Sequence, residues 1–246
     1  MEQDAAHRIT FCLVHPENPG NVGSAARAIK NMGFSNLALV SPSDPRGEEA
    51  IRMAYRSHDI LNAASLYPDL PSALADACWV VGLTGRKQHD RTATRSIEEL
   101  ASEVWARAKE GAVTLLFGPE GTGLTNEALA RCHRTAFIPT GAVFSSLNLA
   151  QAVLIVAYLL LQAQADLPPT GPGRMLAPAK EIEPFFTEME STLEQIGFLK
   201  PPEKKETARK LRTLFTRAGL DQEEVKLLRA MLRQILWAAG KKSEGS

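Results

Sequence analysis

The stretch Phe137-Ile-Pro-Thr-Gly-Ala-Val-Phe-Ser-Ser-Leu-Asn-Leu-Ala150 runs from a strand-like segment through a glycine-containing loop into an uninterrupted apolar helix. Ser145, Ser146 and Asn148 crowd the helix entrance, where the first backbone N–H groups have no partner within the helix. Ser and Asn at such a place are most often simple caps, so the stretch gains meaning only from the rest of the chain. Near-continuous apolar runs at Ile9 to Val14, Leu37 to Val40, Trp79 to Gly82, Val113 to Phe117 and Ala136 to Ile138 read as strands. Helix-like stretches alternate with them at Val22 to Met32, Glu48 to Ala54, Ser72 to Ala77, Ile97 to Lys109, Asn126 to Cys132 and Leu147 to Gln162. Strands buried on both faces and alternating with helices predict an α/β fold with a doubly wound parallel sheet. In such sheets ligands bind at the C-terminal ends of the strands.

The chain has 246 residues, 44% hydrophobic and 23% charged, which is ordinary for a globular protein and excludes wholesale disorder. Its formal net charge is zero, so any nucleic-acid surface must be a local patch. Cys12, Cys78 and Cys132 are odd in number and widely spaced, with no CxxC pair, and read as packed thiols rather than a metal or redox centre. No apolar leader precedes Arg8, and the longest apolar run, Ala152 to Leu161, is ten residues, against about 20 needed to cross a bilayer. A cytoplasmic protein with no membrane partner and no bound metal is the expectation.

Two further motifs follow strands. Asn18-Pro-Gly-Asn-Val-Gly-Ser-Ala-Ala-Arg27 places Gly20 and Gly23 where backbone can come close to a ligand or neighbour, offers Asn21 as a helix cap, and carries Arg27 about two turns in. It lacks the GxGxxG and GK[ST] patterns of dinucleotide sites and P-loops. Leu115-Leu-Phe-Gly-Pro-Glu-Gly-Thr-Gly-Leu124 sets Glu120 in a loop of three glycines, where its carboxylate can pair with Arg27 or face a cationic ligand.

Together, NPGNVGSAAR, FGPEGTGL and IPTGAVFSSLNLA resemble the three motifs of the SpoU branch of the SPOUT methyltransferases, most nearly the TrmJ type, which methylates the ribose 2′-hydroxyl of a tRNA anticodon-loop nucleotide. The resemblance covers about residues 8 to 163. It implies a trefoil knot over about 113–163, S-adenosylmethionine as cofactor, a homodimer with shared active sites, and tRNA as partner. Carried onto this chain, the cofactor pocket would use Leu83, Thr84, Gly85, Gly118, Ile138, Ser145, Ser146 and Leu147. The catalytic set would be Asn21, Arg27, Glu120, Ser146 and Asn148, with Glu120 holding Arg27. The TrmJ type also uses an Arg-Glu-Arg-Val-Gly version of the second motif; here Pro119 and Gly121 flank Glu120, nearer the broader SpoU pattern. Methylation of rRNA or of another tRNA position, and an RNA-binding module without catalysis, stay open as alternatives.

The methyltransferase domain is expected over 1–165. Beyond it, four prolines and two glycines between Asp166 and Pro178 predict a linker over 166–179. The remainder, 180–246, shows three amphipathic helical stripes, and the third is preceded by Asp221 with Glu224 three residues on. Lys200 to Arg217 carries seven cations against Glu203 and Glu206, net +5. Lys204, Lys205, Arg209, Lys210 and Arg212 are therefore candidates for RNA contact, as are Arg86, Lys87, Arg91 and Arg95 near the end of the third apolar run.

Overall fold

The computed structural model describes residues 5–85, 94–141, 146–164 and 175–243. The body is a sheet of β1 (Ile9–Val14), β2 (Asn36–Val40), β3 (Ser65–Tyr67), β4 (Trp79–Leu83), β5 (Thr94–Ser96), β6 (Val113–Phe117) and β7 (Arg134–Phe137). Every pairing is parallel, and the order is β3-β2-β1-β6-β4-β7-β5. All five apolar runs became strands. The two that escaped the sequence reading, β3 and β5, are three-residue edge strands that also carry polar side chains.

Side chains leave the central strands alternately. Phe11, Leu13, Val81, Leu115 and Phe117 enter one core layer, whereas Cys12, Val14, Val80 and Leu116 enter another. Three long helices cover most of the first layer, α1 (Pro19–Asn31), α5 (Ile97–Glu110) and α7 (Leu149–Gln164), and two short ones add Ala50, Ile60 and Leu61 to it. Phe11 meets Phe34 edge-on at 5.3 Å, and the buried Trp105 indole donates to the Leu160 carbonyl over 2.7 Å, tying α5 to α7. The shorter helices are α2 (Glu48–Met53), α3 (His58–Ala63), α4 (Leu70–Leu74) and α6 (Asn126–Ala130). Helices α1 and α2 touch backbone to backbone, because a Cβ on Gly23 would stand 2.1 Å from the Ala50 carbonyl oxygen. Burial raises the Cys12 thiol to about 12, and all three cysteines are free.

Helix α1 begins earlier than its apolar periodicity predicts. Asn18, not Asn21, is the cap: its side-chain oxygen accepts from the amides of Gly20 at 2.7 Å and Asn21 at 3.3 Å, and Pro19 occupies the first helical position. Asn21 is thereby released for another partner.

Past the body, α8 (Ala179–Gln195), α9 (Lys204–Ala218) and α10 (Gln222–Ser243) form a bundle around Phe185, Phe186 and Phe215. Asp221 and Glu224 cap α10 reciprocally, each side chain accepting from the other's amide. The bundle rests on the body. Leu176 and Ala177, at the end of the expected linker, are buried, and the Ala179 amide donates to the Ala77 carbonyl at 3.0 Å. Glu183 binds Arg131 of the body and, through two hydrogen bonds of 2.8 and 2.9 Å, Arg212 of α9. Among the described residues no helix is long and apolar enough to cross a membrane.

Candidate functional site

At the C-terminal edge of the sheet lies a cavity of about 510 Å³, within the ordinary range for a small-molecule site. The turns after β4, β6 and β7 supply its walls: Leu83, Thr84 and Gly85, then Gly118 to Leu124, then Ile138, closed by Ser146, Leu147 and Leu149. Every described residue expected in the cofactor pocket lines it. Ser145 lies outside the described residues. Phe117, Leu124 and Leu149, which belong to the second and third motifs but not to the expected pocket, line it too, as does Ala152 from the apolar run of α7.

The loop after β6 folds back upon itself. A Cβ on Gly118 would stand 2.4 Å from backbone atoms of Gly123 and Leu124, so only glycine fits, and the Gly123 amide closes the turn on the Pro119 carbonyl at 2.9 Å. This turn carries Glu120 to the mouth of the cavity.

There a hydrogen-bonded chain joins the three motifs. Asn21 donates its side-chain N–H to Glu120 Oε1 at 2.7 Å, Asn148 donates to Asn21 Oδ1 at 2.8 Å, and Asn148 Oδ1 accepts from the Ala150 amide at 2.9 Å, capping α7. One polarity satisfies all of it. A carboxylate only accepts, so Asn21 must turn its NH₂ toward Glu120 and its oxygen toward Asn148, which leaves the Asn148 oxygen for the helix. Burial alone would push the Glu120 carboxyl up, but the bonds from Asn21 and from backbone amides, Glu17 among them, outweigh it and hold the group below the usual carboxylate range. Glu120 is accordingly an anion at neutral pH.

Glu120 does not hold Arg27, contrary to the expectation: its bonding capacity goes to Asn21 and the Glu17 amide. The exposed Arg27 instead sets its guanidinium carbon 5.8 Å from the centre of the Tyr55 ring. It does not line the cavity. Ser146 does, and its hydroxyl has no protein partner among the described residues.

The basic candidates divide. Arg86, Lys87 and Arg91 lie outside the described residues, and Arg95 is exposed on β5. Arg212 is committed internally, doubly bonded to Glu183, stacked 4.2 Å from the Phe186 ring centre, and only 16% exposed. Its cation serves the bundle joint, which periodicity alone could not distinguish from a solvated face. Lys204 and Lys210 pair with Glu194 and Glu206 in exposed bridges, weak contacts that leave both available to another anion. Lys205 and Arg209 form no ion pair among the described residues.

Residues 8–158 match the SpoU rRNA methylase family model. The chain belongs to the SpoU methylase family. Residues 180–244 match the tRNA methyltransferase TrmJ C-terminal domain, so the bundle also has its counterpart in known proteins. The tRNA (cytidine/uridine-2′-O-)-methyltransferase TrmJ of Pectobacterium atrosepticum is 36% identical over 231 residues, 92% of this chain and 96% of that protein. The corresponding protein of Cronobacter sakazakii is 35% identical over 92% of this chain and 95% of its own. Among solved structures, TrmJ from Z. mobilis ZM4 superimposes with a TM-score of 0.80 at 34% identity, covering 92% of this chain and 98% of the other. AviRb of Streptomyces viridochromogenes, solved with AdoMet, shares the fold at 21% identity, TM-score 0.51, covering 64% of this chain and 60% of its own. The α/β body is thus the SPOUT fold with a helical C-terminal extension, and the protein is a methyltransferase.

Proposed function

We propose that this enzyme transfers a methyl group from S-adenosylmethionine to the ribose 2′-hydroxyl of a tRNA anticodon-loop nucleotide, at position 32, cytidine or uridine. The observation that carries the reading is the Glu120–Asn21–Asn148 chain, which binds all three motifs to the mouth of one cavity. The TrmJ-type bundle and the full-length TrmJ relatives support the choice of substrate.

The residues present fit the cofactor. Apolar walls at Leu83, Ile138 and Leu149 suit a flat heterocycle, the turn residues offer backbone donors and acceptors, and anionic Glu120 suits a sulfonium cation. Bound there, S-adenosylmethionine supplies an electrophilic methyl group. The protein's own part is alignment, from which much of the acceleration of an in-line displacement can come. Ser146, with its hydroxyl uncommitted, hydrogen-bonds the ribose or the cofactor, while Asn21 and Asn148 hold the loop of Glu120 and the entrance of α7 in register. Arg27 acts as a fixed cation that steadies developing alkoxide and grips the adjacent phosphate; a guanidinium stays protonated and is no base.

Arg27 stands away from the cavity of its own chain, which supports a homodimer whose sites draw on both subunits. The outer side of α7, with Leu154, Tyr158 and Leu161 exposed, supplies an apolar face for it. Lys205 and Arg209, with Lys204, Lys210 and Arg95, form the RNA-binding surface, and the trefoil knot and a cytoplasmic location belong to the same reading. Position 34 is the second candidate. A protein of known structure, described as "Structural insights into the 2-OH methylation of C/U34 on tRNA", is 27% identical with a TM-score of 0.53, covering 65% of this chain and 99% of that one.

Mapping 2′-O-methyl groups in tRNA from cells with and without the protein tests the proposal. Loss at nucleotide 32 alone is expected; loss only at 34, or in rRNA, overturns it.

A further inference from the structure

Helix α2 ends beside α1, and the turn after it holds Tyr55, Arg56 and Ser57. Tyr55 is 55% exposed as a residue, and its ring carries two guanidinium groups, Arg27 at 5.8 Å and Arg56 at 5.4 Å from its centre. Arg56 takes the left-handed backbone conformation, φ +61°, which non-glycine residues seldom adopt. Buried Ser57 steadies that turn, its amide and its hydroxyl both donating to the Ala54 carbonyl at 2.8 and 2.9 Å. The close contact of Gly23 with Ala50 fixes the turn against α1. Neither arginine forms an ion pair among the described residues. Two like charges therefore share one aromatic ring with no carboxylate between them, an arrangement that an anion relieves.

We propose that Arg27, Tyr55 and Arg56 form one phosphate-binding subsite that grips a phosphodiester of the RNA substrate. Tyr55 acts as the positioning residue: its face directs both guanidinium groups, and its hydroxyl is dispensable. The inference rests on the reading that RNA passes Arg27, and it adds two residues to that passage which none of the three motifs contains. Phosphate is the expected anion because guanidinium groups match its oxygens in pairs and the enzyme belongs to a family that methylates RNA.

The test measures tRNA affinity against salt concentration for the full-length protein and for Arg56→Gln, Tyr55→Leu, Tyr55→Phe and Arg27→Gln, with cofactor affinity by calorimetry and mass by light scattering. Arg56→Gln is expected to weaken binding on the order of three- to ten-fold at low salt and to lower the slope of log affinity against log salt by about 1. Tyr55→Leu should reproduce much of that loss although it removes no charge, and Tyr55→Phe should behave as the parent; cofactor affinity and mass should not change. Parental affinity and slope in both Arg56→Gln and Tyr55→Leu would overturn the subsite, as would an altered mass in Tyr55→Leu, which would make the ring a subunit contact. If those two stay parental while Arg27→Gln loses its slope, the subsite alone fails; if Arg27→Gln is parental as well, the RNA path itself is wrong. Should Tyr55→Leu fail to fold, Arg56→Gln still decides: parental affinity and slope in that variant alone overturn the subsite.

Discussion

Asn21→Asp changes one atom type at the centre of the chain between Glu120 and Asn148. The donor that Glu120 receives at 2.7 Å vanishes, and two carboxylates are left facing one another. A hydrogen bond to a charged group contributes roughly 1.5–3 kcal/mol, and like charges at that distance add at least on the order of 1 kcal/mol, the value in bulk water. The sum of about 3 kcal/mol corresponds, for a chain of this length, to a melting temperature lower by about 6–12 °C at pH 7.5. The pH dependence separates this cause from general damage. In the parent, Glu120 titrates below its ordinary range, so its contribution is present at neutral pH and is lost as pH falls through that lowered value. In the variant, one carboxyl of the facing pair is raised, takes up a proton on mild acidification and restores a donor. The gap between the two proteins should therefore narrow from pH 7.5 to 5. Asn21→Asp with Glu120→Gln should recover most of the loss, since the new amide donates where Asn21 did. Differential scanning calorimetry across that range reads all three proteins; an Asn21→Asp melting point within about 2 °C of the parent, or a gap that does not narrow, would refute the reasoning.

Gly118→Ala drives a Cβ into the backbone of Gly123 and Leu124 and should cost at least ten-fold in S-adenosylmethionine affinity by calorimetry while circular dichroism stays parental; unchanged affinity would separate the loop from the pocket. Glu183→Gln removes the carboxylate shared by Arg131 and Arg212. With partial exposure discounted, a loss of roughly 1–3 kcal/mol in urea unfolding is expected, and because Glu183 titrates low, the difference should shrink in acid. Burial holds His133 neutral down to about 3, its ring nitrogen accepting from the Val80 amide. The unfolded chain binds a proton there below about pH 6.5 while the folded one does not, so parental stability falls with acidification and His133→Asn should flatten the slope by up to about 1.4 kcal/mol per pH unit; an unchanged slope refutes it. Leu154→Lys with Tyr158→Glu should halve the mass seen by light scattering, and an unaltered mass would place the subunit contact elsewhere.

The sheet was legible because its strands are buried on both faces and so read as unbroken apolar runs; Ser65-Leu-Tyr67 and Thr94-Arg-Ser96 carry no such signal because edge strands need none. The cavity was legible through its three motifs. Its wiring was not. Which asparagine caps α1 depended on Pro19 taking the first helical position, and that choice sent Asn21 to Glu120 and left Arg27 without it. Arg212 looked like its solvated neighbours because a helical stripe records which face a residue occupies, not that Glu183 and Phe186 wait opposite. Tyr55 and Arg56 gave no pattern at all, since the turn that joins them to Arg27 is made by a contact between two helices.

The two layers of core have a consequence for how changes combine. The outer face of α7 stands over the layer of Phe11 and Leu115, whereas the bundle joins the body at Leu74, Ala77 and Arg131, beside the layer of Cys12 and Leu116. Apart from Leu176, which packs into the first layer beside Gly219, and Arg134, which joins Glu103 of α5 to the Arg217 carbonyl, a full thickness of sheet separates them. Energies of substitutions at the two places should simply sum, to within about 0.5 kcal/mol, so the chain can be altered on either side without re-optimising the other.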